Sequence, residues 1–136
     1  MRNIFTGLAL IGLITLSCKK NNDVSANVTP TKDNLVGTYK LSKITIRMGS
    51  SETPYPLGQC QADDLEQLNA DMTYNPIDAG LSCNPSGSFN STWALNSSTA
   101  ITIDATDYII EKFDGKNLQL THVVSGQTAV AYFVKQ

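Results

Sequence analysis

Tyr108-Ile-Ile-Glu-Lys-Phe113-Asp114-Gly115-Lys-Asn-Leu118-Gln-Leu120-Thr-His122-Val-Val124-Ser125-Gly126-Gln-Thr128-Ala-Val130-Ala-Tyr132-Phe-Val134 is the stretch that decides the fold. Tyr108 to Phe113 reads as a strand that is apolar on both faces. Asp114-Gly115 is a strong two-residue hairpin signal, because both residues tolerate the positive φ of a tight turn. Leu118, Leu120, His122 and Val124 then fall on one face of a second strand. Ser125-Gly126 marks another hairpin turn. In the third strand Thr128, Val130, Tyr132 and Val134 alternate with Ala129, Ala131 and Phe133. Period-two alternation between two-residue turns predicts three consecutive antiparallel strands.

The same grammar extends toward the N-terminus. Ile101 and Ile103 alternate with Thr102 and Asp104, after a turn at Asn96-Ser97-Ser98. Phe89, Ser91, Trp93 and Leu95 alternate with Asn90, Thr92 and Ala94. Residues 79–88 read as a loop containing Cys83 and Pro85. Met72 to Asp78 and Leu65 to Asn69 read as two weaker strands around a turn at Ala70-Asp71. Residues 48–59, with Gly, Ser, Pro54 and Pro56, read as a further loop. Leu35 to Arg47 is rich in β-branched and aromatic residues, and two phases of alternation meet near Ser42-Lys43, which predicts a bulge or a strong bend. No stretch of ten or more residues beyond the leader shows a helical period. The expected fold class is all-β: a single antiparallel up-and-down barrel of about eight strands, a number that closes a sheet on itself and leaves no exposed edge.

The first 17 residues differ from the rest. Met1-Arg2-Asn3 is short and basic, Ile4 to Leu16 is apolar or small throughout, and Ser17-Cys18 precedes the polar run Lys19-Lys20-Asn21-Asn22-Asp23. This is the layout of a secretory signal peptide. The apolar run is shorter than the ~20 residues that a membrane-spanning helix needs. Cys18, directly after a small residue at the end of that run, resembles the acylated cysteine of bacterial lipoproteins, although Leu16 and Thr15 depart from the usual pattern. The expected organisation is residues 1–17 as signal peptide, 18–33 as acylated Cys18 and a flexible polar tether, and 34–136 as one folded domain. Acyl chains on Cys18 make the membrane the first expected partner.

Removing residues 1–17 takes away Arg2 and no acidic residue, leaving nine basic and twelve acidic side chains. No basic patch or basic–aromatic stripe is present, so nucleic acid is not an expected partner. Cys60 and Cys83 remain beyond Cys18, and an even pair in an exported chain reads as a disulfide. The alternative, a metal site joining them to His122, lacks zinc-type spacing.

Other chemistry is sparse. Asp63, Asp64 and Glu66 form an acidic cluster beside Cys60; the bland reading is a solvated turn or strand cap, the functional one a calcium site, without the ligand spacing of a known calcium loop. Asp104 and Asp107 bracket a turn and fit hairpin caps better than an acid–base pair. His122 shares its face with Leu118 and Leu120, where a structural role is the ordinary expectation. No Gly-x-Ser-x-Gly or Gly-rich phosphate loop occurs. The expectation is a protein that is not an enzyme and has no cofactor and no metal.

Three stretches carry a family resemblance: Leu35-Val36-Gly37-Thr38-Tyr39, similar to an opening Gly-x-Trp motif with Tyr39 in place of Trp; Cys60-Gln61-Ala62-Asp63-Asp64 with Leu68-Asn69-Ala70-Asp71-Met72-Thr73-Tyr74 and Cys83, similar to an Asn-x-Asp-Gly-Thr-Tyr pattern with Met72 in place of Gly; and Thr92-Trp93-Ala94-Leu95 with Ile101-Thr102-Ile103 and Tyr108-Ile109-Ile110. Over residues 34–136 the chain resembles the lipocalin-like domain family of small Bacteroidota-type envelope lipoproteins. The resemblance implies a barrel, a cysteine pair and an outer-membrane location; it implies no ligand. If the Met72 position demands a left-handed backbone, Met72 costs about 1 kcal/mol there.

In such a barrel the aromatic set is Tyr39, Phe89, Trp93, Tyr108, Tyr132 and Phe133, and Tyr39, Phe89, Trp93, Tyr108 and Tyr132, with His122, are the candidate pocket residues. They either pack a small apolar ligand on aromatic walls or fill the interior. In the second case the function shifts to a structural or protein-interaction module presenting loops 48–59 and 79–88.

Overall fold

The computed structural model describes residues 27–136. Residues 1–17, Cys18 and the tether up to residue 26 lie outside the described residues. The described chain contains a one-turn helix α1 (Lys32–Leu35) and nine strands: β1 (Gly37–Met48), β2 (Ser51–Tyr55), β3 (Leu65–Leu68), β4 (Thr73–Ile77), β5 (Ser91–Ser97), β6 (Ala100–Ile103), β7 (Thr106–Phe113), β8 (Asn117–Val124) and β9 (Gln127–Lys135). All pairings are antiparallel. β3 to β9 follow one another in order, and β9 pairs back onto β1, closing an eight-stranded up-and-down barrel.

Strand β1 is long enough to serve two neighbours on one edge. Gly37 to Lys40 pair with β3, whereas Ile44 to Met48 pair with β2. Between them the register with β9 shifts at Leu41/Lys43, the bulge expected where the two alternation phases meet.

Strand β2 corrects the expectation of a plain loop over 48–59. Its Pro54 stands opposite Thr45, but β2 is an edge strand, so the missing N–H of proline costs no ladder bond.

The folded unit also starts before residue 34. The Val28 N–H donates to the Phe113 carbonyl at 2.8 Å, and Thr31 caps α1 in a capping box with Asn34. A local hydrogen-bond motif, not an apolar period, orders these polar residues, which is why the composition read as tether.

The barrel has two unlike ends. At one end, where β1 and β8 begin and β7 and β9 finish, Leu35, Trp93, Ile101 and Phe113 are fully buried and fill the interior. Gly37 stands at this closure with φ +151°, and a Cβ there would push aside the Lys135 side chain, whose Cε would be 2.3 Å away. The Tyr39 hydroxyl donates to the Leu35 carbonyl at 2.8 Å, tying the helix to the first strand. Met72 adopts φ +69°, so the backbone at this turn is left-handed.

At the other end lie the β1–β2 and β8–β9 hairpins, the start of β3 and the end of β4. The Cys60–Cys83 disulfide, which joins the stretch before β3 to the stretch after β4, sits at this end.

Candidate functional site

The barrel interior is not filled throughout. Above the packed end a cavity of about 310 Å³ opens toward the hairpin end. Leu68, Leu118, Leu120 and Phe133 line its deeper part, and Ile44, Val124 and Ala129 line it toward the hairpins. Ala129 and Ala131 matter because they are small. Facing Ile44 on β1 and Leu120 on β8, Ala131 leaves space that a larger side chain would take. A shoulder of about 250 Å³ adjoins the cavity beside β2, and Leu41, Ile44 and Glu66 line both spaces.

Of the six pocket residues expected from sequence, the structure brings three together. Tyr39, Tyr108 and His122 line the cavity. Tyr108 and His122 stand with ring centres 5.3 Å apart, and His122 Nδ1 lies 2.8 Å from the Asp107 carbonyl. Because a carbonyl only accepts, Nδ1 carries the proton.

The other three lie elsewhere. Trp93 is buried in the packed end, where its indole N–H donates to the Asn69 carbonyl at 2.9 Å. Phe89 falls just before β5 and is 48% exposed, edge-on to Tyr74 at 6.1 Å. Tyr132 points outward. Its hydroxyl donates to Glu52 at 2.6 Å, and Lys43 Nζ sits 4.2 Å over its ring. The inward phase of β9 is the one carrying Ala129, Ala131 and Phe133. Along a strand with apolar residues in both phases, composition alone does not say which phase faces in.

The outward face of this region carries its own polar network. Glu52 accepts hydrogen bonds from Tyr132, Arg47 and Thr45, which hold its carboxyl down at about 2. Arg47 also pairs with Glu111, whose carboxyl it lowers. Thr45, Val130 and Thr121 are buried side by side in register on these strands.

Two residues that the sequence reading did not place in the pocket, Glu66 and Tyr74, complete its polar lining. Glu66 read as part of an acidic cluster, but the structure divides that cluster. Asp63 and Asp64 accept backbone N–H bonds from Leu81 at 2.8 Å and Ala79 at 3.2 Å, so they fasten the disulfide-joined segment rather than sit freely in solvent. Asp78 likewise accepts from the Cys83 N–H. Asp64, Asp78 and Cys83 do converge, but Cys83 Sγ is committed to Cys60.

Glu66, on β3, faces the interior instead and receives a hydrogen bond from the Tyr74 hydroxyl. Burial pushes its carboxyl above the ordinary range, with the Tyr74 bond opposing. Burial also raises the Tyr74 and Tyr108 phenols, and the nearby Glu66 charge adds to both shifts. The sequence signal for Glu66 was its alternation with Leu65 and Gln67 in a four-residue strand, too short to fix a phase. Asp104 and Asp107 act as hairpin anchors, accepting from Ser91 and Thr102 at 2.6 Å each.

No curated protein matches the chain. A family does: the lipocalin-like domain matches residues 35–122, from the end of α1 into β8, with the closing strand β9 beyond the match. With a closed eight-stranded antiparallel barrel, one filled end and one open end, the chain belongs to the lipocalin-like domain family.

Proposed function

We propose that this protein is a carrier or sensor for a small, largely apolar molecule, held in the barrel's open end without chemistry being done on it. The observation that carries the reading is the cavity itself: about 310 Å³, lined mainly by Leu, Ile, Val, Ala and aromatic side chains, with a few polar groups on one side. That volume stands at the lower end of the ~300–1,000 Å³ range of ligand sites. At ~30 Å³ per water-sized group it admits a molecule of about ten non-hydrogen atoms. Exposed Met48, Tyr55 and Val124 stand at strand ends on the hairpin side and give an apolar ligand a compatible rim.

The same reading assigns the chain to the cell envelope, held by acyl groups on Cys18 after removal of residues 1–17, with the outer membrane the expected site. The described chain joins the barrel at its packed end, where the Val28 N–H donates to the Phe113 carbonyl, at the pole opposite the open end. Metabolic labelling with an alkyne fatty acid tests the anchor: Cys18→Ser should lose the label and be released from membranes.

Native mass spectrometry and calorimetry with apolar compounds of about ten heavy atoms test the cavity. Ala131→Phe, which fills it, should abolish binding while leaving the far-ultraviolet spectrum of the barrel. Equal binding by wild type and Ala131→Phe would remove the proposal.

A further inference from the structure

Resting on that cavity reading, we infer that the ligand is a lipophilic amine, with its ammonium group met by the Glu66 carboxylate. Among the described residues Glu66 is the only carboxylate that lines the cavity, and no Lys or Arg lines it. Tyr74 occupies Oε2; among the described residues Oε1 receives no hydrogen bond. Oε1 is not sealed away like Asp63 Oδ1 or Asp78 Oδ2, so it is open to a ligand in the cavity. A ligand cation would complete it with a charge-assisted bond, which is stronger than a neutral one.

The surroundings fit the same chemistry. Tyr74 and Tyr108 line the cavity with Glu66, and aromatic faces attract ammonium groups. The rest of the lining, Leu68, Leu118, Leu120 and Phe133 at depth, suits an alkyl or aryl body. A fatty acid fits poorly: its carboxylate would meet Glu66 with no fixed lysine or arginine to receive it. A neutral alcohol fits the shape but leaves Glu66 without a counter-charge.

Calorimetry on the full mature chain with a matched series, 3-phenylpropylamine, 3-phenylpropan-1-ol and 3-phenylpropionate, separates these classes. The amine should bind at least about tenfold tighter than the alcohol, with the propionate weakest, as expected for one hydrogen bond to a charged group. Glu66→Gln, of the same shape, should bring the amine-to-alcohol ratio to within about twofold. Glu52→Gln, which removes the same charge from the outer face, should leave that ratio intact. The inference is overturned if the alcohol or propionate binds as tightly as the amine, or if Glu66→Gln keeps the preference; the cavity reading then survives. If none of the three binds and Ala131→Phe behaves like the wild type, both readings fall together.

Discussion

Replacing both Cys60 and Cys83 by Ser should cost about 3.4 kcal/mol. The bridge spans a sequence separation of 23, and closing a 24-residue loop in the unfolded chain gives that figure from loop-closure entropy. For the described stretch of 110 residues, an unfolding entropy of about 0.23 kcal/mol/K converts the loss to a melting shift of about 15 °C. The native segment has further fasteners: Asp63, Asp64 and Asp78 accept backbone N–H groups from Leu81, Ala79 and Cys83. Gly80 lies so close to Asp63 that a Cβ would stand 2.1 Å from its carboxylate. None of these contacts uses the bridge sulfurs. They keep the folded segment in place but do not constrain the unfolded chain, so they should not offset the entropic loss. Urea unfolding followed by Trp93 fluorescence reports the barrel, because Trp93 is 2% exposed in the packed end, remote from the bridge. Far-ultraviolet melts give the shift independently. A loss under about 1 kcal/mol would count against this account and would mean that the unfolded chain gains far less freedom from losing the bridge than an ideal coil would.

Met72→Gly should be about 1 kcal/mol more stable than Met72→Ala, the reverse of the usual order in ordered structure, because φ is +69° at that turn; paired urea melts check this. Trp93→Ala should cost about 3–5 kcal/mol and Trp93→Phe less, since only the larger truncation empties the packed end, as measured by chemical denaturation. Burial raises the Glu66 carboxyl, so the stability linked to its protonated form is present below the ordinary carboxylate range and lost as pH rises through its folded value. Glu66→Gln should therefore raise the melting temperature at pH 8 and leave it nearly unchanged at pH 3.5; a lower melting temperature at pH 8 would contradict this. Glu52 is shifted the other way, from 4.5 to about 2 by bonds from Tyr132, Arg47 and Thr45. Its contribution should be present above pH 4.5 and fade toward pH 2, and Glu52→Gln should flatten that part of an acid titration.

The barrel is legible in the chain of residues alone. Hairpin turns at Asp114-Gly115 and Ser125-Gly126, alternation along β5 to β9, the phase change at Ser42-Lys43 and the cysteine pair are all local or pairwise signals, and each reappears in the strands, the bulge and the disulfide. Which phase of each strand faces inward, and how far the interior fills, emerged only once the sheet had closed. In β9 both phases are apolar, so Tyr132 went outward to Glu52 while Ala129 and Ala131 went in and left room. In β3 four residues are too few to show a phase, and closure against β1 and β4 turned Glu66 into the cavity. Side-chain period two is written along one strand. The inside of a barrel is shared among eight strands, and the space left there depends on side chains distant in sequence that meet only once the sheet has closed.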